Sequence, residues 1–134
     1  MKKGFLFVFI LSLGIISTCF ANEALLKEAS AGNAEAQFKV AALYATGKLG
    51  NKTSEDRKKM FEWLEKSAEH NYLKAQETLC KQYLDRCNFE GAYKWAKKAM
   101  EQNSNIGKAT MAYLLYWGEN VVPIDKVKAY SLIK

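Results

Sequence analysis

Apolar side chains recur every three or four positions through almost all of residues 22–134, and no stretch shows the strict alternation of a half-buried strand. This spacing places apolar residues on one face of an α-helix. The chain has a single proline, Pro123, so little in its composition would interrupt helices. The pattern therefore predicts an all-α fold.

Two kinds of helical segment repeat along this region. The first kind reads LLKEASAGN at 25–33, WLEKSAEHN at 63–71 and WAKKAMEQN at 95–103. The second kind follows each of these and reads AQFKVAALYATG at 36–47, AQETLCKQYLDR at 75–86 and GKATMAYLLYWG at 107–118. Repetition of such a pair predicts a right-handed α-solenoid of about three antiparallel helix pairs, with the second kind as the inner helices.

The second kind of segment also carries a packing signal. Its sixth residue is always small, and the residue three positions later is always large; the small residues are Ala41, Cys80 and Ala112, and the large ones are Tyr44, Tyr83 and Leu115. A small side chain lets two helix backbones approach, and the large one fills the space beside it. These positions are therefore predicted to lie where helices meet.

The first 21 residues have the three parts of a secretory signal peptide. Lys2 and Lys3 precede an apolar run over residues 5–16, and small residues lead to Ala21. The run is shorter than the roughly 20 apolar residues that span a bilayer. We predict cleavage after Ala21, with a mature domain over residues 22–134 in the periplasm and no membrane span after cleavage.

Lipoprotein processing is the alternative for this leader. The sequence ISTC at 16–19 would place a lipid on Cys19. Thr18 is a poor match to the Gly, Ala or Ser that usually precedes a lipidated cysteine. The unanchored periplasmic form is therefore the preferred prediction.

The formal net charge is +6, and the lysines are spread over the predicted outer helices. This distribution is typical of a solvated helix face, and an acidic partner or anionic lipid headgroups are the alternatives. Nucleic acid is not expected, because the chain carries an export signal and no recognisable nucleic-acid motif.

The stretches NAEAQFKVAALYATG at 33–47 and GENVVPIDKVKAY at 118–130 resemble the Sel1-like repeats, which are relatives of the tetratricopeptide repeats. The second stretch carries that family's Gly…Val-Pro-x-Asp…Lys-Ala pattern. The resemblance covers residues 23–134. It implies an α-solenoid that binds other proteins and needs no cofactor.

The chain departs from this family at the ends of two outer helices. His70 and Gln102 stand where the family usually has the glycine found here at Gly32. A helix end often needs one residue in the left-handed conformation, which asparagine tolerates. We predict that Asn71 and Asn103 take that role.

Two cysteines, Cys80 and Cys87, lie seven positions apart. A zinc site needs about four ligands, and a thiol oxidoreductase uses Cys-x-x-Cys. An isolated pair in an oxidising compartment is usually joined, and some Sel1-like proteins carry helix-bracing disulfides, so we predict a Cys80–Cys87 bridge. It requires the chain to leave the helix near Leu84 or Asp85, because a straight helix would hold the two Cα atoms roughly 10 Å apart. The alternative is a buried Cys80 and an unrelated Cys87 in a turn.

The motif SLIK at 131–134 matches Ser-x-x-Lys, the nucleophile motif of penicillin-recognising enzymes. Some cysteine-rich members of the resembled family carry a β-lactamase label. The companion Ser-Asp-Asn and Lys-Thr-Gly elements are absent from the sequence, and His70, the single histidine, has no visible nucleophile to serve. We predict no enzyme; the alternative is a cysteine-rich Sel1-type hydrolase with penicillin-binding or β-lactamase activity.

A binding surface is the remaining functional expectation. Inner helices of a solenoid line a concave face, and the candidate partner-binding residues there and at the C-terminal edge are Phe38, Lys39, Glu77, Lys81, Tyr113 and Trp117. Phe38 and Tyr113 would equally suit the core between repeats. The resemblance implies a protein partner: the chain would be an inhibitor or immunity protein against a secreted phospholipase effector, or an envelope adaptor.

The third helix pair ends at AYSLIK, over residues 129–134. Without a following repeat, some apolar surface should stay open among Leu114, Tyr116, Trp117, Tyr130 and Ile133. Exposed patches of this kind are usually contact sites. We predict that this edge forms a homodimer or docks the cognate partner, with Trp117 as the anchor.

Overall fold

The computed structural model describes residues 20–118 and 120–134, so residues 1–19, with most of the predicted signal peptide and Cys19, lie outside the described residues. Every regular element in the described part is helical. The helices are α1 (20–30), α2 (Ala34–Thr46), α3 (Ser54–Glu69), α4 (Leu73–Asp85), α5 (Phe89–Glu101), α6 (Asn105–Trp117) and α7 (Lys126–Leu132). Within the described chain, none of these helices is both long enough and apolar enough to cross a membrane.

The helices pack as successive neighbours. Helix α2 pairs with α3, α4 with α5, and α6 with α7, and the junctions between pairs are formed by α3 with α4 and by α5 with α6. The inner helices α4 and α6 also contact each other directly. Three helix pairs in sequence, joined by short turns, confirm the predicted all-α solenoid.

Burial confirms the packing register predicted from the repeat. The small residues Ala41, Cys80 and Ala112 are at most 6% exposed. Helices α5 and α6 also approach closely, because a Cβ atom added to Gly107 would lie 2.9 Å from the Cβ of Ala99. Small side chains therefore set the distance between helices along the solenoid.

The outer helices end in left-handed turns. Gly32, Asn71 and Asn103 have φ angles of 96°, 61° and 60°, so the predicted asparagine conformations are confirmed. The turn lets the N–H of Asn71 donate to the carbonyl of Ala68. Carbonyl groups at the helix end are satisfied in this way, and the chain then turns back into the next inner helix.

Buried glutamines tie α2 and α4 to the helix before each of them: Gln37 donates to Ala29, and Gln76 makes the equivalent bond. The side-chain amide of Gln76 donates to the carbonyl of Ala68 at 3.1 Å. Its carbonyl oxygen accepts a hydrogen bond from the side chain of Gln102 at 2.9 Å. Because Gln76 is fully buried, these bonds satisfy polar atoms that water cannot reach.

The buried side chains form two clusters. A small cluster of Ala29, Ala36 and Val40 holds α1 against α2. A larger cluster continues from Ala41 to Ala129 and includes side chains of α2 to α7. Trp63 of α3 packs against both clusters, so it connects the cluster between α1 and α2 to the rest of the core.

Candidate functional site

Large apolar side chains are exposed along α6 and α7. Trp117 is 60% exposed, Ile133 is 60%, Tyr130 is 56% and Tyr113 is 41%. These four residues and Tyr116 line one groove with a volume of about 210 Å³. We call these five residues the C-terminal aromatic surface.

The pattern of α6 explains why these rings face outward. Leu114 and Leu115 are buried on the opposite side of the helix, and Tyr113 and Trp117, four positions apart, share one face. The ring of Tyr116 lies edge-on to Trp117, at 5.0 Å between centroids. Three small residues also line the groove: Ala109, Ala112 and Ala129.

The expectation of open apolar surface at this edge is therefore confirmed for three of the five residues considered. Trp117, Tyr130 and Ile133 are exposed, Tyr116 is half-buried and Leu114 is fully buried. The amphipathic period of α6 places Leu114 in the core. Whether the surface binds a partner stays a prediction.

Two exposed apolar residues near this surface were not predicted. Ile124 is 64% exposed and Val127 is 84% exposed. They flank Asp125, whose side chain caps α7 by accepting a hydrogen bond from the N–H of Lys128 at 2.9 Å. The capping aspartate marks the start of α7 in the sequence, but a cap does not determine which face of the helix is buried.

The other candidate partner-binding residues lie apart from the C-terminal aromatic surface. Phe38 is half-buried, with its ring 5.3 Å from that of Tyr72, and it lines a groove beside α4. Lys39 is exposed and pairs with Glu35 at 2.8 Å. Whether Phe38 and Lys39 contact a partner stays a prediction.

Helix α4 carries the remaining two candidates. Lys81 is exposed. Glu77 accepts a hydrogen bond from the hydroxyl of Ser104 at 2.5 Å, and Ser104 in turn caps α6. Glu77, which is half-buried, thus makes a contact between helix pairs, and whether it or Lys81 contacts a partner stays a prediction.

The structure contains both cysteines as free thiols, so the predicted Cys80–Cys87 disulfide is not present. Helix α4 continues to Asp85 and holds Cys80 in the core, where it hydrogen-bonds with Thr110. Burial raises the pKa of the Cys80 thiol to about 11. Cys87 lies in the left-handed turn after the helix, with φ of 54°, and faces solvent.

The residues weighed for catalysis make structural contacts. The hydroxyl of Ser131 donates to the carbonyl of Lys128 at 2.7 Å. His70 ends α3, as expected, and its ring hydrogen-bonds to Gln37. Among residues 20–118 and 120–134, no three His, Cys, Asp or Glu side chains are placed to share a metal ion.

Two solved structures share this architecture. One is a protective antigen present in uropathogenic Escherichia coli strains that displays an SLR fold, with 26% identity over 84% of this chain and a TM-score of 0.68. The other is a Sel1 repeat protein from Oxalobacter formigenes, with 27% identity over 84% of this chain and a TM-score of 0.72. This chain spans 24% and 46% of the lengths of those two chains. No curated protein matches it.

The family model for the Sel1 repeat matches residues 34–72, 82–104 and 108–134. These matches begin near the inner helices and cover most of the three helix pairs. Sel1 repeats build protein–protein interaction modules that are generally not enzymes. The chain belongs to the Sel1 repeat family.

Proposed function

We propose that this chain is a periplasmic protein-binding module that holds its partner on the C-terminal aromatic surface. The supporting observation is the exposure of Trp117, Tyr130 and Ile133, each more than half accessible, around one groove. Soluble domains rarely expose such a patch without a contact to make. Tryptophan and tyrosine are also the residues that most often dominate binding energy at protein interfaces.

Export from the cytoplasm is part of this proposal. The charged start, the apolar run and Ala21 have the order of a signal peptide. The similarity to a solved protein described as a protective antigen is consistent with an exported chain. Lipid attachment at Cys19 is the alternative, and mass spectrometry of the mature N-terminus in an envelope fraction distinguishes the two.

An inhibitor or immunity protein and an envelope adaptor are the two roles that such a module could fill. A gene for a secreted phospholipase beside the gene for this chain would support the immunity role. The purified chain should then suppress hydrolysis of phospholipid vesicles by that enzyme at equimolar concentration. An adaptor would bind its partner without inhibiting it.

Site-specific photocrosslinking tests the binding surface. A benzoylphenylalanine at position 117, introduced in the native host, should form a discrete covalent adduct. The same residue at position 97, an exposed lysine on α5, should form none. An adduct of twice the mass of the mature chain would identify a homodimer. No adduct at position 117, or equal adducts at both positions, would contradict the proposal.

No specific observation favours the hydrolase alternative. The Ser131 hydroxyl is engaged with a main-chain carbonyl and not with a base. A chromogenic penam should therefore not be turned over by the purified chain. Turnover that disappears in Ser131→Ala would reverse this conclusion.

A further inference from the structure

A second groove lies between α2 and α4, on the inner side of the first two helix pairs. Its apolar part has a volume of about 200 Å³ and is lined by Phe38, Ala42, Leu64 and Thr78 among others. The alanines of α2 leave space here that larger side chains would fill. Helices α4 and α6 contact each other directly, so this opening is a particular feature of the first two inner helices.

The groove continues into a part that is rich in cations. This part has a volume of about 370 Å³ and is lined by Lys52, Arg57 and Arg86. It shares Ala45, Met60 and Gln82 with the apolar part: one continuous groove therefore has an apolar end and a cationic end. We call it the basic groove.

The cationic end keeps a net positive charge, because its lining has three cationic side chains and one carboxylate. Asp56 is the single carboxylate in its lining. Oxygen Oδ2 of Asp56 accepts hydrogen bonds from the N–H of Asn51 at 2.8 Å and from the N–H and hydroxyl of Thr53 at 3.1 and 2.9 Å. That oxygen is therefore occupied by the loop before α3. In the described chain, the ion pairs are Lys39–Glu35 and Lys58–Glu55, and neither includes a cation of the groove.

The three cations come from different parts of the fold, and packing contacts position two of them. The guanidinium of Arg86, after the end of α4, lies 3.8 Å from the ring centroid of Phe61. The stem of Lys52 lies against Gly47, where an added Cβ would be 2.8 Å from it. Arg57 projects from the first turns of α3. Two of the three cations are thus positioned before any ligand arrives, which lowers the entropy cost of binding.

We propose that the basic groove binds an acidic peptide segment of a protein partner. Side-chain carboxylates of the segment would contact Arg57, Arg86 and Lys52, and a neighbouring apolar side chain would enter the part lined by Phe38. Guanidinium groups match carboxylates through paired hydrogen bonds. An inorganic anion would leave the apolar end empty, and so the combination favours a peptide. This inference rests on the proposed role in protein binding and assigns a second contact site, separate from the C-terminal aromatic surface.

Phage display tests whether the basic groove binds acidic peptides. The full chain serves as bait for a library of random twelve-residue peptides. The selected peptides should be enriched in Asp and Glu close to a Leu, Phe or Met residue. Selection on the double variant Arg57→Gln/Arg86→Gln should lose that enrichment. Circular dichroism of both baits checks that the variant is folded.

Titration of one selected peptide by fluorescence anisotropy then measures each contribution. Arg57→Gln should weaken binding about tenfold or more, as expected for loss of a charge-assisted hydrogen bond. Replacing the acidic residues of the peptide by Gln should have a similar effect. Ala42→Leu, an exposed change that narrows the apolar end, should also weaken binding. The control Lys97→Gln on α5 removes a charge outside the groove and should leave peptide binding unchanged.

Several outcomes would overturn the proposal. The first is that the selected peptides are not enriched in Asp and Glu, and the second is that the enrichment remains on the double variant. The third is that millimolar inorganic phosphate displaces the peptide while Ala42→Leu has no effect on its binding. If Trp117→Ala abolishes peptide binding and Arg57→Gln does not, the peptide binds to the C-terminal aromatic surface and not in the basic groove. If no acidic peptide binds in the basic groove but crosslinks still form at position 117, this inference is wrong and the proposed function stands.

Discussion

Nitrogen Nδ1 of His70 lies 2.9 Å from Oε1 of Gln37 and thereby links the end of α3 to the buried side of α2. The amide of Gln37 already donates to the carbonyl of Ala29 at 3.0 Å. Oε1 is therefore the acceptor, and His70 donates. Gln102 makes the same donation to Gln76 in the next repeat. Histidine and glutamine thus perform one structural task at equivalent positions.

This equivalence predicts that His70→Gln keeps the stability of the wild type. His70→Ala should lower the free energy of unfolding by about 1 kcal/mol, because the largely buried Gln37 would lose its donor. Urea denaturation of the three proteins measures the difference. An equal loss in both variants would show that the imidazole ring contributes by packing and not by donating a hydrogen bond.

Gly107 is predicted to resist replacement by alanine. An added Cβ would lie 2.9 Å from the Cβ of Ala99 and 3.0 Å from the carbonyl oxygen of Ala96. Overpacking of this kind costs about 1–3 kcal/mol, which exceeds the roughly 1 kcal/mol that alanine adds to helix propensity. Thermal melts of Gly107→Ala should therefore show a lower midpoint.

A matched control lies in the same helix. Asn105→Ala changes an exposed residue at the start of α6, so the midpoint should stay within a few degrees of the wild type. A Gly107→Ala midpoint at or above that of this control would mean that α5 and α6 can separate without a penalty.

The two thiols are predicted to differ sharply in reactivity. Cys87 is exposed, whereas Cys80 is fully buried and its pKa is raised to about 11 by burial. Because the thiolate is the reactive form, a maleimide at pH 7.5 should label Cys87 alone in the native protein and both cysteines in urea. Peptide mass spectrometry locates the labels. Absence of both labels in unreduced, denatured protein would instead establish the disulfide predicted from the sequence.

Acid should weaken the fold partly through Asp56. Hydrogen bonds from the backbone and side chain of Thr53, with a further one from Asn51, hold the pKa of the Asp56 carboxyl below its ordinary value of 3.8. A depressed pKa stabilises the folded state above about pH 4, and that contribution is lost as the pH falls through the folded value. Urea denaturation between pH 3 and 7 should show a smaller loss of stability in Asp56→Asn. An unchanged pH profile would contradict this role.

The features predicted correctly from the sequence depend on local chemistry. The period of apolar residues defines the helices, and the small residues Ala41, Cys80 and Ala112 mark where they meet. The left-handed conformations of Asn71 and Asn103 follow from turn chemistry at helix ends. Each of these depends on residues that are close in sequence.

The features that were missed depend on distant parts of the chain. Glu77 was expected on an open face, but it is bound by Ser104, 27 residues away. The predicted Cys80–Cys87 bridge required α4 to end early and the chain to turn back toward Cys80. In the structure, α4 continues to Asp85 and Cys87 faces solvent. The basic groove brings Arg86, at the end of α4, to Lys52 and Arg57 at the start of α3, and this meeting depends on how α3 and α4 pack over their full lengths.

The junction between the first and second helix pairs is less tightly packed than the junction between the second and third. Helix α4 contacts both α5 and α6, whereas a groove separates it from α2 over part of its length. Because sub-global opening begins where buried contacts are fewest, we expect the solenoid to bend most easily between α2 and α4. A peptide bound in the basic groove would contact both of these helices and stiffen that junction, so binding there would change the curvature of the superhelix.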